Sequence, residues 1–239
     1  MIGGVAGRGR TMRRMRALSR SADRELLDGH DLEPAELRRN LDEMAMLNRL
    51  PGGVAASLDA VLALVGRGQG DRVLDVGTGA GDFARRLRRR ASATIVLVDH
   101  SPEVLEVARR NVAGMEDVTI VEADARALPF ADGSVAVAHA SLLLHHLDPG
   151  EAVTAFREMR RVARIGVVIN DLRRSRLALA MAAVPILALA RARTTRHDGI
   201  LSARRAYTLG ELDDLAADAG LRPVARTAAW WPRVTTTYQ

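Results

Sequence analysis

A glycine-rich turn and nearby acidic residues form the first group in the sequence whose types and spacing suggest chemistry. The turn is Asp75-Val76-Gly77-Thr78-Gly79-Ala80-Gly81, and Asp99 follows 22 residues after Gly77. Glycines allow a tight turn and let the backbone approach a ligand closely. A carboxylate two residues before Gly77 would repel a phosphate but could bind an ammonium group. An acid about 20 residues beyond the turn is placed to accept hydrogen bonds from both ribose hydroxyls. The pattern predicts a ligand with a ribose and an amino acid part but no phosphate.

A third acid extends this pattern. The segment Glu122-Ala123-Asp124-Ala125 follows a later hydrophobic run, and the Asp124 side chain with the Ala125 amide could read an adenine edge. Each acid taken alone is equally consistent with a helix cap or a solvated turn. Three acids at the ends of successive strands favour one shared ligand.

The elements that must position these residues alternate between strand and helix from Arg72 onward. Strands are predicted over residues 72–76, 94–98, 118–121, 135–140 and 165–169, and helices over 83–90, from Pro102 with Ser101 as N-cap, over 151–164 and over 209–219. Residues 224–231 and 234–238 are predicted to form a terminal hairpin around Pro232. This alternation is typical of parallel β-α-β units, whose strands all end at one edge of the sheet. Residues 21–50, broken near Pro34, and residues 54–65 are predicted to be helices that precede the sheet.

These motifs together resemble the class I S-adenosylmethionine-dependent methyltransferases. The resemblance is carried by residues 73–81, Asp99, residues 122–126 and Leu128-Pro129-Phe130, and it covers roughly residue 58 to the C-terminus. It implies an α/β fold with a Rossmann-like, seven-stranded, mostly parallel sheet, an antiparallel last strand and helices on both faces, here with an N-terminal helical extension. It also implies S-adenosyl-L-methionine as cofactor and S-adenosyl-L-homocysteine as product. The implied cofactor contacts are Asp75, Gly77, Thr78, Gly79, Asp99, His100, Asp124, Ala125 and Ser141.

The residues that would act on the methyl acceptor are expected at the ends of the fourth and fifth strands. His145 and Asp171 come from these neighbouring strand ends and could meet over the methyl group, where a carboxylate would orient the imidazole and stabilise its cationic form. Three interpretations stay open: a catalytic His145–Asp171 pair, His146 in that role, and purely structural histidines. His139, inside the fourth strand, is expected to pack in the core. No metal site is predicted, because the acidic arrangement of the family's metal-dependent catechol members is not found.

An insertion, residues 172–207, separates the fifth strand from the last helix. It contains the apolar run Leu177–Ala190, which is too short for a membrane span of about 20 residues. In the family such insertions cover the acceptor pocket together with the N-terminal helices, and an apolar cover implies a hydrophobic or aromatic acceptor. The alternative is that the run simply buries itself against the N-terminal helices. His197 and Asp198 are second candidates for acceptor contacts, although a hydrogen-bonded loop turn explains them equally well.

Three classes of function compete. Residues 170–177, 196–199 and 204–207 look similar to a subgroup of bacterial methyltransferases associated with polyketide, phenol and quinone biosynthesis. That similarity implies O-methylation of a phenolic or polyketide-derived hydroxyl, or alternatively C-methylation. An RNA or protein methyltransferase is disfavoured, because no Asn/Asp-Pro-Pro-aromatic motif is present and only 3% of residues are aromatic. The glycine spacing disfavours a dehydrogenase-like protein, and the presence of all three acids disfavours a degenerate, non-catalytic binding protein.

Charge and composition limit the remaining possibilities. All 35 cationic residues are Arg, and six of them precede the first acid, Asp23, whereas the rest of the chain has no net charge. This charge balance disfavours nucleic acid as a partner for the main domain. The absence of Cys excludes disulfides, thiolate metal sites and a Cys nucleophile. We expect a basic flexible arm (1–20), a helical cap (21–57) and a methyltransferase domain (58–239) with a lid-like insertion, in a cytoplasmic monomer or homodimer.

Overall fold

Strands and helices alternate along the chain in the computed structural model, which describes residues 18–23, 25–26, 33–50, 53–65, 71–227 and 232–239. The helices are α1 (Pro34–Leu47), α2 (Val54–Val65), α3 (Asp82–Leu87), α4 (Pro102–Asn111), α5 (Pro149–Val162), α6 (Arg176–Leu189), α7 (Arg193–Arg205) and α8 (Leu209–Asp218). The strands are β1 (Arg72–Val76), β2 (Thr94–Asp99), β3 (Val118–Glu122), β4 (Val135–Ser141), β5 (Ala163–Leu172), β6 (Pro223–Arg226) and β7 (Arg233–Tyr238). A single 3₁₀ turn, Leu144–His146, follows β4.

The strands form one seven-stranded sheet in the order β3-β2-β1-β4-β5-β7-β6. Strands β1 to β5 pair in parallel, and β7 is antiparallel to both β5 and β6. The predicted fold, including its antiparallel last strand, is therefore confirmed. The strand order reverses direction between β1 and β4, and the carboxyl ends of these two strands border the crevice where open α/β sheets bind ligands.

The core lies on both faces of the sheet. On one face α5 and α8 contribute Phe156, Met159 and Leu212, and on the other face α2 and α3 contribute Val61 and Phe83. Strands covered on both faces carry continuous apolar runs rather than an alternating pattern, which is why β1, β2 and β4 were recognisable in the sequence.

Most predicted boundaries lie within three residues of those in the structure. The Ser101 hydroxyl accepts from the Val104 amide at 3.2 Å with Pro102 at the first helical position, as predicted for α4. The helix predicted to reach residue 164 ends at Val162, because Ala163 already pairs with Val135 in the sheet.

The predicted N-terminal helix restarts at Pro34 as expected, but its first three residues are not helical. Ser21–Asp23 are not helical, and α1 starts at Pro34. The Ser21 amide donates instead to the Arg204 carbonyl at 3.2 Å, so this segment is held by α7 rather than by its own helical hydrogen bonds. The predicted strand residues 228–231 and most of the basic arm lie outside the described residues.

The insertion forms two helices, so the loop turn considered for His197 and Asp198 is wrong: both lie in α7. A Cβ atom at Gly199 would lie only 3.0 Å from the Ile186 side chain. Because glycine has no Cβ atom, α6 and α7 can pack closely at this point. The apolar run is only partly buried, since Ala182 and Ile186 face α7 while Leu177 and Val184 are more than half exposed. Within the described residues, no helix combines the length and apolar character needed to cross a membrane.

Arg174 connects three parts of the chain and supports a stability prediction. Its buried guanidinium donates to the carbonyls of Leu18 and Ala206 and to the Glu211 carboxylate, at 2.5–2.6 Å. Arg174→Met leaves these acceptors without their donor, so we expect the free energy of unfolding to fall by about 2–4 kcal/mol in urea titrations. The matched exposed variant Arg89→Met should change it by less than about 0.5 kcal/mol. Equal stabilities for the two variants would contradict this role.

Candidate active site

The glycine-rich turn lies directly between β1 and α3, against the end of β2. The amides of Gly77 and Thr78 both donate to the Val98 carbonyl, at 2.8 and 3.0 Å. Gly77, Gly79 and Gly81 have φ angles of 68°, 54° and 76°, in the left-handed region that glycine adopts without strain. The turn therefore presents backbone rather than side chains at the crevice, as the spacing predicted.

Asp99 joins this turn to the end of β2. Its Oδ2 accepts from the Gly79 amide at 3.1 Å and its Oδ1 from the Ser101 amide at 3.2 Å. The neighbouring His100 side chain is mostly exposed, with Nδ1 3.5 Å from Asp99 Oδ1. Three of the predicted cofactor contacts, Gly79, Asp99 and His100, are thus brought together.

Asp75 is buried and has partners inside the protein. Its Oδ2 accepts from the Thr78 hydroxyl at 2.7 Å, and its Oδ1 lies 2.7 Å from Nδ1 of His139. His139 packs in the core against the Phe83 ring, as predicted, but it also holds this carboxylate. Asp75 therefore stabilises the conformation of the glycine-rich turn through its hydrogen bond with Thr78. Asp75 and His139 are direct partners in the β1–β4 register, which only the structure shows.

Asp124 follows β3 and is bound by a residue that the sequence analysis did not single out. Arg126 donates to the Asp124 carboxylate through its amide at 2.8 Å and its Nε at 2.9 Å, and its guanidinium also pairs with Glu151. Hydrogen bonds from Arg126 hold the pKa of Asp124 below its usual value. Asp99 and Glu122 are register partners of β2 and β3, so Asp124 and Ala125 lie just beyond the strand end beside Asp99.

His145 and Asp171 are brought together from β4 and β5, as predicted. His145 Nδ1 lies 2.6 Å from Asp171 Oδ1, and Asp171 Oδ2 accepts from the Leu144 amide at 2.9 Å. Burial by itself would raise the pKa of Asp171, but the adjacent His145 and the Leu172 amide hold that pKa below its usual value. An ionised carboxylate can only accept, so a hydrogen bond at this distance has His145 Nδ1 as its donor.

The turn that holds His145 lies against the glycine-rich turn. A side chain at Gly77 would come within 3.0 Å of Leu143, two residues before His145. Ser141, a predicted cofactor contact, accepts from Arg233 at 2.9 Å, and Arg233 also donates to Asn170 Oδ1 at 3.2 Å. Burial lowers the pKa of Arg233 to about 10, so this side chain is still cationic at neutral pH. Arg233, on the antiparallel strand, was not foreseen from the sequence.

The N-terminal segment and α7 cover the far side of His145. Arg20 donates to the carbonyls of His145 and Leu147, and Arg205 to those of His145 and His146, at 2.8–3.0 Å. The Asp23 carbonyl accepts from Arg205 as well. Arg20, which the sequence assigns to the basic arm, is thus in contact with the candidate site.

Of the two other predicted acceptor residues, Asp198 contacts this segment and His197 contacts Asp198. Asp198 is buried, and its Oδ1 accepts from the Leu26 amide at 2.9 Å and lies 2.9 Å from Nδ1 of His197. The His197 side chain is about half exposed. Asp198 therefore fastens the segment that precedes α1 to α7.

Comparison with known proteins agrees with this geometry. Residues 73–166 match the family model of a methyltransferase domain. The chain is 48% identical over 66 residues to demethylmenaquinone methyltransferase of Thermus thermophilus, covering 26% of this chain and 30% of that enzyme. It is 32% identical over 111 residues to the Staphylococcus aureus enzyme of the same name, covering 46% and 45%. The chain thus spans less than half the length of these curated relatives.

The fold is also similar to that of a solved methyltransferase structure. The crystal structure of a SAM-dependent methyltransferase from Aquifex aeolicus superposes with a TM-score of 0.61 at 19% identity, over 87% of this chain and 98% of that one. Residues 73–166 thus match a methyltransferase domain, and the fold and the glycine-rich turn support a class I S-adenosylmethionine-dependent methyltransferase.

Proposed function

We propose that this chain transfers the methyl group of S-adenosylmethionine to a hydroxyl of a hydrophobic small molecule, of the phenolic or polyketide-derived type found in secondary metabolism. The observation that carries the proposal is the His145–Asp171 pair, whose atoms lie 2.6 Å apart at the ends of β4 and β5. The pair sits beside the glycine-rich turn that would hold the cofactor.

The cofactor would lie across the carboxyl ends of β1, β2 and β3. The backbone of Gly77–Gly79 would face its methionine part, Asp99 its ribose, and Asp124 with Ala125 its adenine. Asp75 would support this site by orienting the turn, since both of its oxygens already have partners. Because Asp99 also accepts from the Gly79 amide, ribose binding and the shape of the turn would be coupled.

The chemistry requires alignment and removal of one proton. The acceptor oxygen would attack the methyl carbon in line with the carbon–sulfur bond, which breaks as the oxygen–carbon bond forms. The hydroxyl proton would pass to Nε2 of His145, because Nδ1 is already protonated and bound to Asp171. Asp171 would stabilise the resulting imidazolium, and S-adenosylhomocysteine would leave as the neutral thioether product.

C-methylation of a quinone-type ring is the second candidate. It is supported by the 48% identity over 66 residues to an enzyme named demethylmenaquinone methyltransferase. An acidic ring carbon needs a base just as a hydroxyl does, so the His145–Asp171 pair serves either reaction.

The cover of the site supports a hydrophobic acceptor. The α7 helix contacts the turn that bears His145, and α6, which packs against α7 and α1, is almost entirely apolar in sequence. A methyltransferase domain over 58–239, a cap over 21–57, a lid over 172–207 and a cytoplasmic location belong to the same proposal.

A methyl-transfer screen tests this function. The full chain would be incubated with S-adenosylmethionine carrying a deuterated methyl group and with panels of phenols, quinones, polyketides, RNA and peptides. We expect a mass increase in phenolic or polyketide products, and mass spectrometry of fragments would separate O- from C-methylation. Transfer to RNA or peptide alone would overturn the proposal.

A further inference from the structure

Three metal-ligating side chains meet on the covered side of the candidate site. Glu25 comes from the N-terminal segment, whereas His145 and His146 come from the 3₁₀ turn after β4. Nε2 of His145 lies 3.8 Å from Glu25 Oε1, and Nε2 of His146 lies 3.8 Å from Glu25 Oε2. One ligand atom from each residue falls within 4.8 Å of the others. We propose that Glu25, His145 and His146 bind a divalent transition-metal ion.

Direct hydrogen bonding does not account for this arrangement. Because His145 Nδ1 donates to Asp171, a neutral His145 ring leaves Nε2 as an acceptor, and it faces a carboxylate oxygen that is also an acceptor. The separation of 3.8 Å is longer than the 2.7–3.2 Å of a normal hydrogen bond. A cation between the two atoms would be coordinated by both.

The distances suit a small ion. Zinc–nitrogen and zinc–oxygen bonds of about 2.0–2.2 Å place two ligands of a tetrahedral ion about 3.4 Å apart. The observed separations of 3.8 Å need only a small inward movement of the side chains. The rings of His145 and His146 lie side by side, with centroids 4.3 Å apart and planes tilted by 34°.

The residues that contact the three proposed ligands resemble those around metal-binding side chains in other proteins. Asp171 binds the other ring nitrogen of His145, and such carboxylate–histidine contacts fix the tautomer and orientation of metal-bound imidazoles. The Ser202 hydroxyl lies 2.8 Å from Glu25 Oε1 and orients that carboxylate. Arg20 and Arg205 bind backbone carbonyls of the turn, and these contacts hold its shape.

Two imidazoles and one carboxylate select the class of ion. This donor set suits zinc, cobalt, nickel, iron or manganese better than calcium or magnesium, which prefer oxygen ligands. Three protein ligands leave coordination positions for water or for an acceptor oxygen, whose pKa the ion would lower. With an ion bound, Nε2 of His145 would be a ligand and could not act as a base. Coordination of the acceptor oxygen to the ion would then activate the acceptor instead. The sequence analysis predicted no metal, since nothing near His145 in the sequence points to Glu25.

Metal titration of the full, tag-free chain tests the site. After treatment with a chelator, the protein would be titrated with Zn²⁺ in a calorimeter and with Co²⁺ while its visible absorption is followed. We expect about one ion per chain and a Co²⁺ spectrum typical of nitrogen and oxygen ligands. Glu25→Gln and His146→Asn should each weaken binding by at least about 10-fold, whereas the matched variant Glu116→Gln should not.

The outcomes separate this proposal from the proposed function. S-adenosylmethionine binding and the melting temperature of each metal-free variant show whether it is folded. The wild-type Co²⁺ titration decides the question even if a variant does not fold. No stoichiometric binding by the wild type, or unchanged binding in both folded ligand variants, would overturn the metal site and leave the methyl-transfer proposal untouched.

Discussion

The His145→Ala variant is expected to methylate its acceptor about 10²–10⁴-fold more slowly than the wild type, with S-adenosylmethionine affinity changed by less than about threefold. The side chain contacts Asp171 and faces Glu25, and none of its contacts involves the turn that would hold the cofactor. Loss of the imidazole therefore removes the base that would take the proton from the methyl acceptor. The residues that would bind the cofactor are unchanged. Steady-state formation of S-adenosylhomocysteine gives kcat and KM, and calorimetry gives the cofactor affinity.

His146→Ala is the informative comparison. If His145 acts as the base, His146→Ala should keep most of the activity, because the His145–Asp171 contact survives. If a metal ion activates the acceptor, the two variants should lose activity together, and chelation should lower kcat of the wild type. A His145→Ala enzyme with wild-type kcat would remove His145 from the chemistry in either role.

Replacing Asp99 by asparagine is expected to weaken S-adenosylmethionine binding by about 10–100-fold. A carboxylate can accept from both ribose hydroxyls through charge-assisted hydrogen bonds, whereas an amide of the same shape has one acceptor and no charge. Calorimetry of the wild type and the variant measures the change, and Glu116→Gln, an exposed acid on the surface, is the matched control.

Asp99 also accepts from the Gly79 amide, so a second ligand is needed to separate its two roles. The wild type should bind S-adenosylhomocysteine more tightly than the 2′-deoxy form of that molecule, and Asp99→Asn should lose much of this preference. If Asp99 acted only by shaping the turn, both ligands would weaken equally. Equal weakening would refute the ribose assignment.

The part of the site that depends on backbone conformation was predictable from the sequence. Gly77 and Gly79 adopt positive φ, and this requirement is visible in the residue type itself. The strands β1, β2 and β4 are buried on both faces, which makes each a continuous apolar run. Parallel topology then brings their ends to one edge, and the meeting of His145 with Asp171 follows from neighbouring strands.

Side chains without a local signal were not predictable. Arg233 reaches Ser141 across 92 residues of sequence, and Glu25 faces His145 across 120. An arginine or glutamate at these positions looks like any charged surface residue. Only the packing of the N-terminal segment and β7 against the site gives them partners.

The sequence by itself thus determined the sheet, the glycine-rich turn and the acids at three strand ends, because each depends on local conformation or on periodic burial. The tertiary structure alone decided that Asp75 is held by His139, that Arg20 and Arg205 bind the turn after β4, and that Glu25 completes a group with His145 and His146. These contacts join segments far apart in the chain, and neither partner has a local pattern that identifies the other.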